Sequence, residues 1–261
     1  MKWTVLKGLA ILLLGLRAVP CLAGSLGMDK ALALVKVQDE RQHNTGDFKA
    51  TAFVKDTERG KDPTVSEVEY YRRDRQDKFL ILFLAPRDQA GQGYLKIDRN
   101  LWFYDPGTGK WDRRTERERI GGTNSRRADY DEPHFIRDFD VHPLGVEPLG
   151  DYTADVISLT AKADVDVPYP IQKLWIDDKD DNILERQEYS LSGRLMRTTY
   201  YPSWIKRYSA SKGADVWTPR EIRIFDDLEK GDSTIILIKA MDLNPLDDAM
   251  FTKAWIEAKS R

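Results

Sequence analysis

Three histidines, His43, His134 and His142, supply all the imidazole in the 261-residue chain. No two of them stand at the four-residue spacing that puts a pair of zinc ligands on one helix face. The Gly-x-Ser-x-Gly turn that exposes a nucleophilic serine is absent. One acid–base arrangement remains: His134 closely follows Asp131 and Glu132, and an imidazole beside carboxylates can move a proton near neutral pH. That constellation is the seat of a hydrolase reading, against which stands an ordinary surface ion pair. The run Asp178-Lys179-Asp180-Asp181-Asn182 offers the hard oxygens that calcium takes, but it lacks the loop glycine and the closing glutamate. It reads as a hairpin turn. Cys21 is the single cysteine, which leaves no disulfide framework and no thiolate metal site. Neither a metal nor a cofactor is expected, and the chain reads as a non-enzyme.

The densest polar feature is cationic. Arg113, Arg114, Arg117, Arg119, Arg126 and Arg127 fall within fifteen positions, mixed with Glu116 and Glu118 and followed by Asp129, Asp131 and Glu132. An ion-paired strand and loop surface accounts for the pattern. The sharper alternative is a set of guanidinium forks at the mouth of a cavity, with Arg113, Arg117, Arg126 and Arg127 meeting phosphate or carboxylate. Aromatic residues are not interleaved with the cluster, and the whole chain carries 41 basic against 43 acidic residues, a formal charge of −2. Both facts argue against a nucleic-acid partner.

These side chains need a frame. Lys2 and Lys7 precede an apolar run from Gly8 to Leu16, and the small-residue stretch Cys21-Leu22-Ala23-Gly24-Ser25 follows. The run is shorter than the ~18 residues of a spanning helix, so residues 1–23 read as a signal peptide cleaved after Ala23. Pro20 stands where a lipidation signal at Cys21 wants a small residue. Residues 24–261 then form one exported domain, placed in the periplasm. Met28, Leu32, Val35 and Val37 recur near helical spacing up to about Arg41, ahead of the breaker Asn44-Thr45-Gly46-Asp47. From Phe48 the period switches to two. Strands are expected near 48–54, 64–73, 77–85, 92–98, 100–105, 109–118, 151–161, 170–177, 182–192, 194–202, 215–226 and 232–243, mostly separated by turn residues. Gly121 to Gly150 reads as a long loop with a short helix near Pro133 to Asp138. Consecutive hairpins with no strand–helix alternation predict a mainly β fold, a curved and incomplete antiparallel barrel of about 11–12 strands, because twisted open sheets rarely exceed ~10 strands flat.

The segment Phe79 to Ala85 is apolar on both faces. One face must meet a second layer or line a cavity. Large apolar residues on neighbouring strands extend the surplus. The cavity candidates are Leu80, Leu82, Leu84, Leu95, Ile97, Trp102, Tyr104, Leu174, Ile176, Met196 and Trp217, and the guest that fits such a lining is an acyl chain. A plainly packed core is the alternative, and periodicity does not separate the two.

Ile97-Asp98-Arg99-Asn100-Leu101-Trp102-Phe103-Tyr104-Asp105-Pro106 resembles a hairpin of the periplasmic LolA/LolB-type lipoprotein carriers. The stretch from Gly91 through Trp111-Asp112-Arg113-Arg114 to Gly121-Gly122-Thr123-Asn124-Ser125 resembles the LolA-like outer membrane lipoprotein-sorting proteins. So do Leu191 to Arg197, Tyr200-Tyr201-Pro202 and Phe251 to Trp255. The resemblance implies an unclosed barrel with helices lodged in its concave side around a lipid cavity. It implies lipid or lipoprotein acyl chains as ligands, a monomer as the working form, and an inner-membrane transporter and an outer-membrane acceptor as further candidate partners. Carriers of that type have Arg-Pro before the third strand. Here the proline is missing, and Arg75 is the nearest match for a residue that latches the lid. The alternative roles are a scaffold subunit of an envelope transporter that carries no lipid, and the hydrolase noted above.

Overall fold

A computed structural model describes residues 24–43, 46–115 and 117–260. The expected signal segment 1–23 with Cys21 lies outside the described residues, as do Asn44, Thr45 and Glu116. In chain order the elements are α1 Met28–His43, β1 Asp47–Thr57, β2 Thr64–Arg73, β3 Lys78–Ala85, β4 Gly93–Ile97, β5 Asn100–Asp105 and β6 Lys110–Arg114. There follow α2 Phe135–Asp138, β7 Phe139–Leu149, β8 Tyr152–Ala161, β9 Ile171–Asp177, β10 Ile183–Tyr189, β11 Leu195–Ser209, β12 Ala214–Asp226, β13 Ser233–Asp242 and α3 Lys253–Lys259. No described helix is long and apolar enough to cross a membrane.

All thirteen described strands join one sheet in the order β6-β5-β4-β3-β2-β1-β13-β12-β11-β10-β9-β8-β7. Every neighbouring pair is antiparallel. The first and last strands therefore meet in the middle, and the two edges, β6 and β7, are consecutive in sequence. The sheet is not closed between them, and residues 115–138 run from one edge to the other.

The expected hairpins are present to within a few residues, with one omission. The stretch 139–149 is the edge strand β7, whereas its prolines and glycine predicted a loop. Pro143 and Pro148 are tolerated because β8 is the one strand that β7 pairs with among the described residues, and the outer side carries a single bridge, from Val146 to Gly24. A register shift between Pro143 and Gly145 absorbs the irregularity. The strand expected at 109–118 stops at Arg114.

Helix α1 buries Ala31, Leu34, Val35 and Gln38, the i, i+3, i+4, i+7 stripe. Met28 and Leu32 of the expected stripe are exposed. The buried face packs on Phe135, Phe139, Ile157, Leu159, Leu174 and Ile176. The Asp39 carboxylate accepts the backbone N–H groups of Phe135 and Ile136 at 2.7 and 2.9 Å, which ties α2 to α1.

Strand β3 resolves the double-sided apolar run. Phe79, Ile81 and Phe83 join Val68, Tyr94, Leu101 and Ile120 on one face. Leu80 and Leu82 join Leu95, Tyr104, Phe251 and Ile256 on the other. The second layer on that face is the C-terminal segment with α3. Gly93 permits the approach, since a Cβ there would sit 2.9 Å from Ile256 Cγ2. Ser260 Oγ donates to Gly91 O at 2.6 Å, and Trp111 Nε1 donates to Glu257 at 2.7 Å.

Candidate functional site

On the face that carries α1 and the crossing segment, the sheet is incompletely covered, and a cavity of about 240 Å³ remains. Its floor is central. Strand β1 presents Ala50 and Ala52 there, where β12 and β13 present Ile222, Ile224, Ile236 and Ile238. Two short side chains in the middle of the sheet leave the space that larger residues fill elsewhere. Trp204 and Trp217 complete the apolar wall, and Gln38 and Arg41 of α1 bound it with Ser125, Asp129, Tyr130 and Asp131 of the crossing segment. The volume exceeds the ~150 Å³ of an apolar cavity that takes a benzene-sized guest and approaches the ~300 Å³ at which ligand pockets begin.

The crossing segment is fastened at several points. Asp129 accepts from Arg197 Nη2 at 2.6 Å and from Arg186 Nη2 at 3.1 Å. Arg197 also binds Glu188, and Arg186 Nε lies 3.5 Å from that residue, so two guanidiniums face two carboxylates. Burial alone would raise the Asp129 carboxyl, but Arg197 and Arg186 outweigh it and hold it below the usual carboxylate range. Asp131 accepts from Lys96 Nζ of β4 at 2.6 Å and pairs with Arg127 at 3.3 Å. Between them Tyr130 descends onto the sheet, its ring 5.5 Å from that of Tyr70 and 5.4 Å from that of Phe79. Arg72 Nη1 donates to Tyr130 O at 2.7 Å. Burial pushes the Tyr70, Tyr130 and Tyr201 phenols up, so all three stay neutral at physiological pH.

Of the eleven apolar candidates, Trp217 lines this cavity. The others are elsewhere, and for β3 the parity of the strand is the reason: successive residues point to opposite faces, and its even-numbered side faces away from this cavity. Leu80, Leu82, Leu95, Ile97 and Tyr104 pack with Phe251 and Ile256 on the far side. Trp102 is the register partner of Leu95 and lies 3.5 Å below Lys253 Nζ. Leu84 is exposed, and Leu174 and Ile176 are consumed under α1. Met196 borders a second recess of about 20 Å³.

None of the five arginine candidates borders the cavity. Arg75 and Arg113 are exposed. Arg117 faces Asp166 at 3.6 Å, and Arg126 stands over Tyr169 at 6.0 Å. Arg127 is buried and donates to Arg99 O at 2.9 Å. The cavity cations are Arg41, Arg72 and Arg186. Arg72 and Arg186 sit on strands far apart in sequence. Arg72 stands in the short run Arg72-Arg73-Asp74-Arg75 from which Arg75 is the expected latch, and its period-two spacing after Val68 and Tyr70 is what sets it on the cavity side. Of the hydrolase set, Asp131 is committed to Lys96 and Arg127, His134 stands at the N-cap of α2, and His142 is exposed on β7. The acidic run 178–182 is the β9–β10 turn, and the Asp180 and Asp181 carbonyls accept from Arg41 at 2.7 Å.

A family model described as an uncharacterized protein matches residues 75–258, more than half of the chain. The chain belongs to that family. Solved structures share its LolA-like fold at low sequence identity. A domain from Vibrio parahaemolyticus named for outer membrane lipoprotein sorting is 18% identical with a TM-score of 0.74, covering 88% of this chain and 99% of its own. A DUF1329 family protein from Desulfovibrio piger is 18% identical with a TM-score of 0.73, covering 87% and 98%. A LolA superfamily protein from Nitrosomonas europaea is 21% identical with a TM-score of 0.67, covering 86% and 98%. None of the curated proteins matches the chain. The comparisons thus agree with the fold expected from the hairpin series.

Proposed function

We propose that this protein is a periplasmic carrier that takes acyl chains of a lipid or lipoprotein into the cavity over Ala50 and Ala52 and passes them toward the outer membrane. The observation that carries the reading is an apolar cavity set between the centre of the sheet and a segment that spans the sheet's open side. The mechanism is differential burial. When residues 115–138 lift, the isoleucine wall is exposed, a chain enters, and closure removes it from water, each methylene contributing ~0.8 kcal/mol. No bond is made or broken. The names of the LolA-like neighbours support the carrier reading, and an inner-membrane donor and an outer-membrane acceptor would complete the route.

The test is native mass spectrometry of the chain purified from its own cell envelope. Bound acyl species appear as discrete mass additions in the wild type and are lost when the cavity is filled. An apo mass for protein taken directly from the envelope, with no uptake of added lipid, would overturn the proposal in favour of a scaffold role.

A further inference from the structure

The wall of the cavity holds two buried polar atoms without hydrogen bonds. Thr199 of β11 and Arg186 of β10 are direct register partners, and both line the cavity. Thr199 is 1% exposed, and its Oγ1 has no hydrogen-bond partner among the described residues. Arg186 Nε has none either, although Glu188 Oε1 stands 3.5 Å from it as an ion pair. Register partners on one face of an antiparallel pair keep their Cβ atoms ~4.5–5.5 Å apart. The two side chains are therefore neighbours on the cavity wall, within reach of one bound guest. A buried hydroxyl left unpaired is costly, and a bound acceptor removes that cost.

Charge decides which acceptor fits. Arg186 and Arg197 already face Asp129 and Glu188, so the four groups cancel. The other cations at the cavity are also committed: Arg41 donates to Asp180 O, Asp181 O and Asn182 Oδ1 with the Asp180 and Asp181 carboxylates nearby to balance its charge, and Arg72 binds Asp74 and Tyr130 O. An incoming carboxylate would be buried without a matching charge, whereas a neutral carbonyl oxygen accepts from both donors and adds no charge.

We propose that Thr199 and Arg186 anchor the neutral carbonyl of an ester- or amide-linked acyl chain, so that the cargo is an acylated molecule rather than a free fatty acid. This rests on the carrier reading and narrows its ligand class. The experiment is equilibrium binding of three probes, methyl laurate, laurate and dodecane, to the chain without residues 1–23, with bound probe quantified by extraction and gas chromatography. Thr199→Val is expected to weaken methyl laurate about tenfold while leaving dodecane unchanged, and Thr199→Ser to restore the ester. Laurate should bind more weakly than its methyl ester. Because the Thr199 hydroxyl makes no hydrogen bond, the valine variant should fold with an unchanged or raised Tm. If none of the probes binds the wild type, the carrier reading itself fails. If all bind but Thr199→Val leaves the ester unaffected, or weakens ester and alkane alike, the anchoring pair is wrong. Tighter binding of laurate than of the ester overturns the choice of a neutral head.

Discussion

Asp129 and Asp131, one residue apart, are bound to opposite halves of the sheet. Asp129 reaches Arg186 and Arg197 on β10 and β11, and Asp131 reaches Lys96 on β4. Five strands, β3, β2, β1, β13 and β12, lie between these anchors in the sheet order, so one short stretch of backbone bridges the uncovered face.

The two anchors differ in depth. The Asp129 side chain is 14% exposed and that of Asp131 31%. Asp129→Asn leaves two buried guanidiniums short of a charge partner and should cost ~3–5 kcal/mol. Asp131→Asn should cost less, ~1–3 kcal/mol, because Lys96 keeps Asp77 and Arg127 keeps its bond to Arg99 O. Urea unfolding measures both, and limited proteolysis should show earlier cutting within 115–138 in the first variant only.

Acid should release the same contact. The Asp129 and Asp47 carboxyls are both held below the ordinary value, burial being outweighed at Asp129 by Arg197 and at Asp47 by Arg73 and the Leu246 N–H. A depressed carboxylate contributes stability that is fully present above the unfolded value of ~3.9 and lost as pH falls through the folded value. Carried by these groups, Tm should hold between pH 7 and about 5 and drop below about 4. Circular dichroism melts should give a shallower drop in Asp129→Asn; an identical slope would remove Asp129 from the account.

Ile222 borders the cavity and belongs to none of the packed clusters among the described residues. Ile222→Trp should therefore fill space without disturbing the core. Displacing two methylenes of a guest at ~0.8 kcal/mol each corresponds to about tenfold weaker retention. Titration with a fluorescent fatty-acyl probe reads this directly, with Tm as the control for folding.

The far face makes the opposite prediction. Ile256 is fully buried against Leu80, Leu82 and Leu95. Ile256→Ala should cost ~2–5 kcal/mol, while acyl retention at a temperature where the variant is folded stays at the wild-type level. Leu82→Glu, which would report on the cavity if β3 faced it with its even-numbered side, should instead prevent α3 from docking. Hydrogen exchange over 248–260 distinguishes that outcome.

Much of the fold was legible because alternation in β1 to β5 and β8 to β13 is local, and turn residues such as Asp98-Arg99-Asn100 and Ser192-Gly193 punctuate it. β7 was hidden by Pro143, Gly145 and Pro148, which a strand tolerates only at an edge, and edges are a property of the assembled sheet. The site was less legible for a related reason. Period two states that Leu80 and Ile81 point apart, but which of them faces the cavity depends on where α3 docks, some 170 residues later. Likewise the dense run from Arg113 to Arg127 drew notice, while the cations that bound the cavity came from three distant elements. The carboxylates that hold Arg186, Asp129 and Glu188, are indistinguishable in sequence from the other acidic residues.

The pairing of β1 with β13 also constrains how the molecule reaches its native state. The hairpins on either flank are local and can zip independently, but the seam that joins them connects Lys49 with Asp242 and Thr57 with Ser233. Closing that seam is a long-range event that pays its chain entropy before any reward, the hallmark of a slow folder. The floor of Ala50 and Ala52 comes into being only at that last step, and until then the isoleucines of β12 and β13 present a sticky surface to any passing chain.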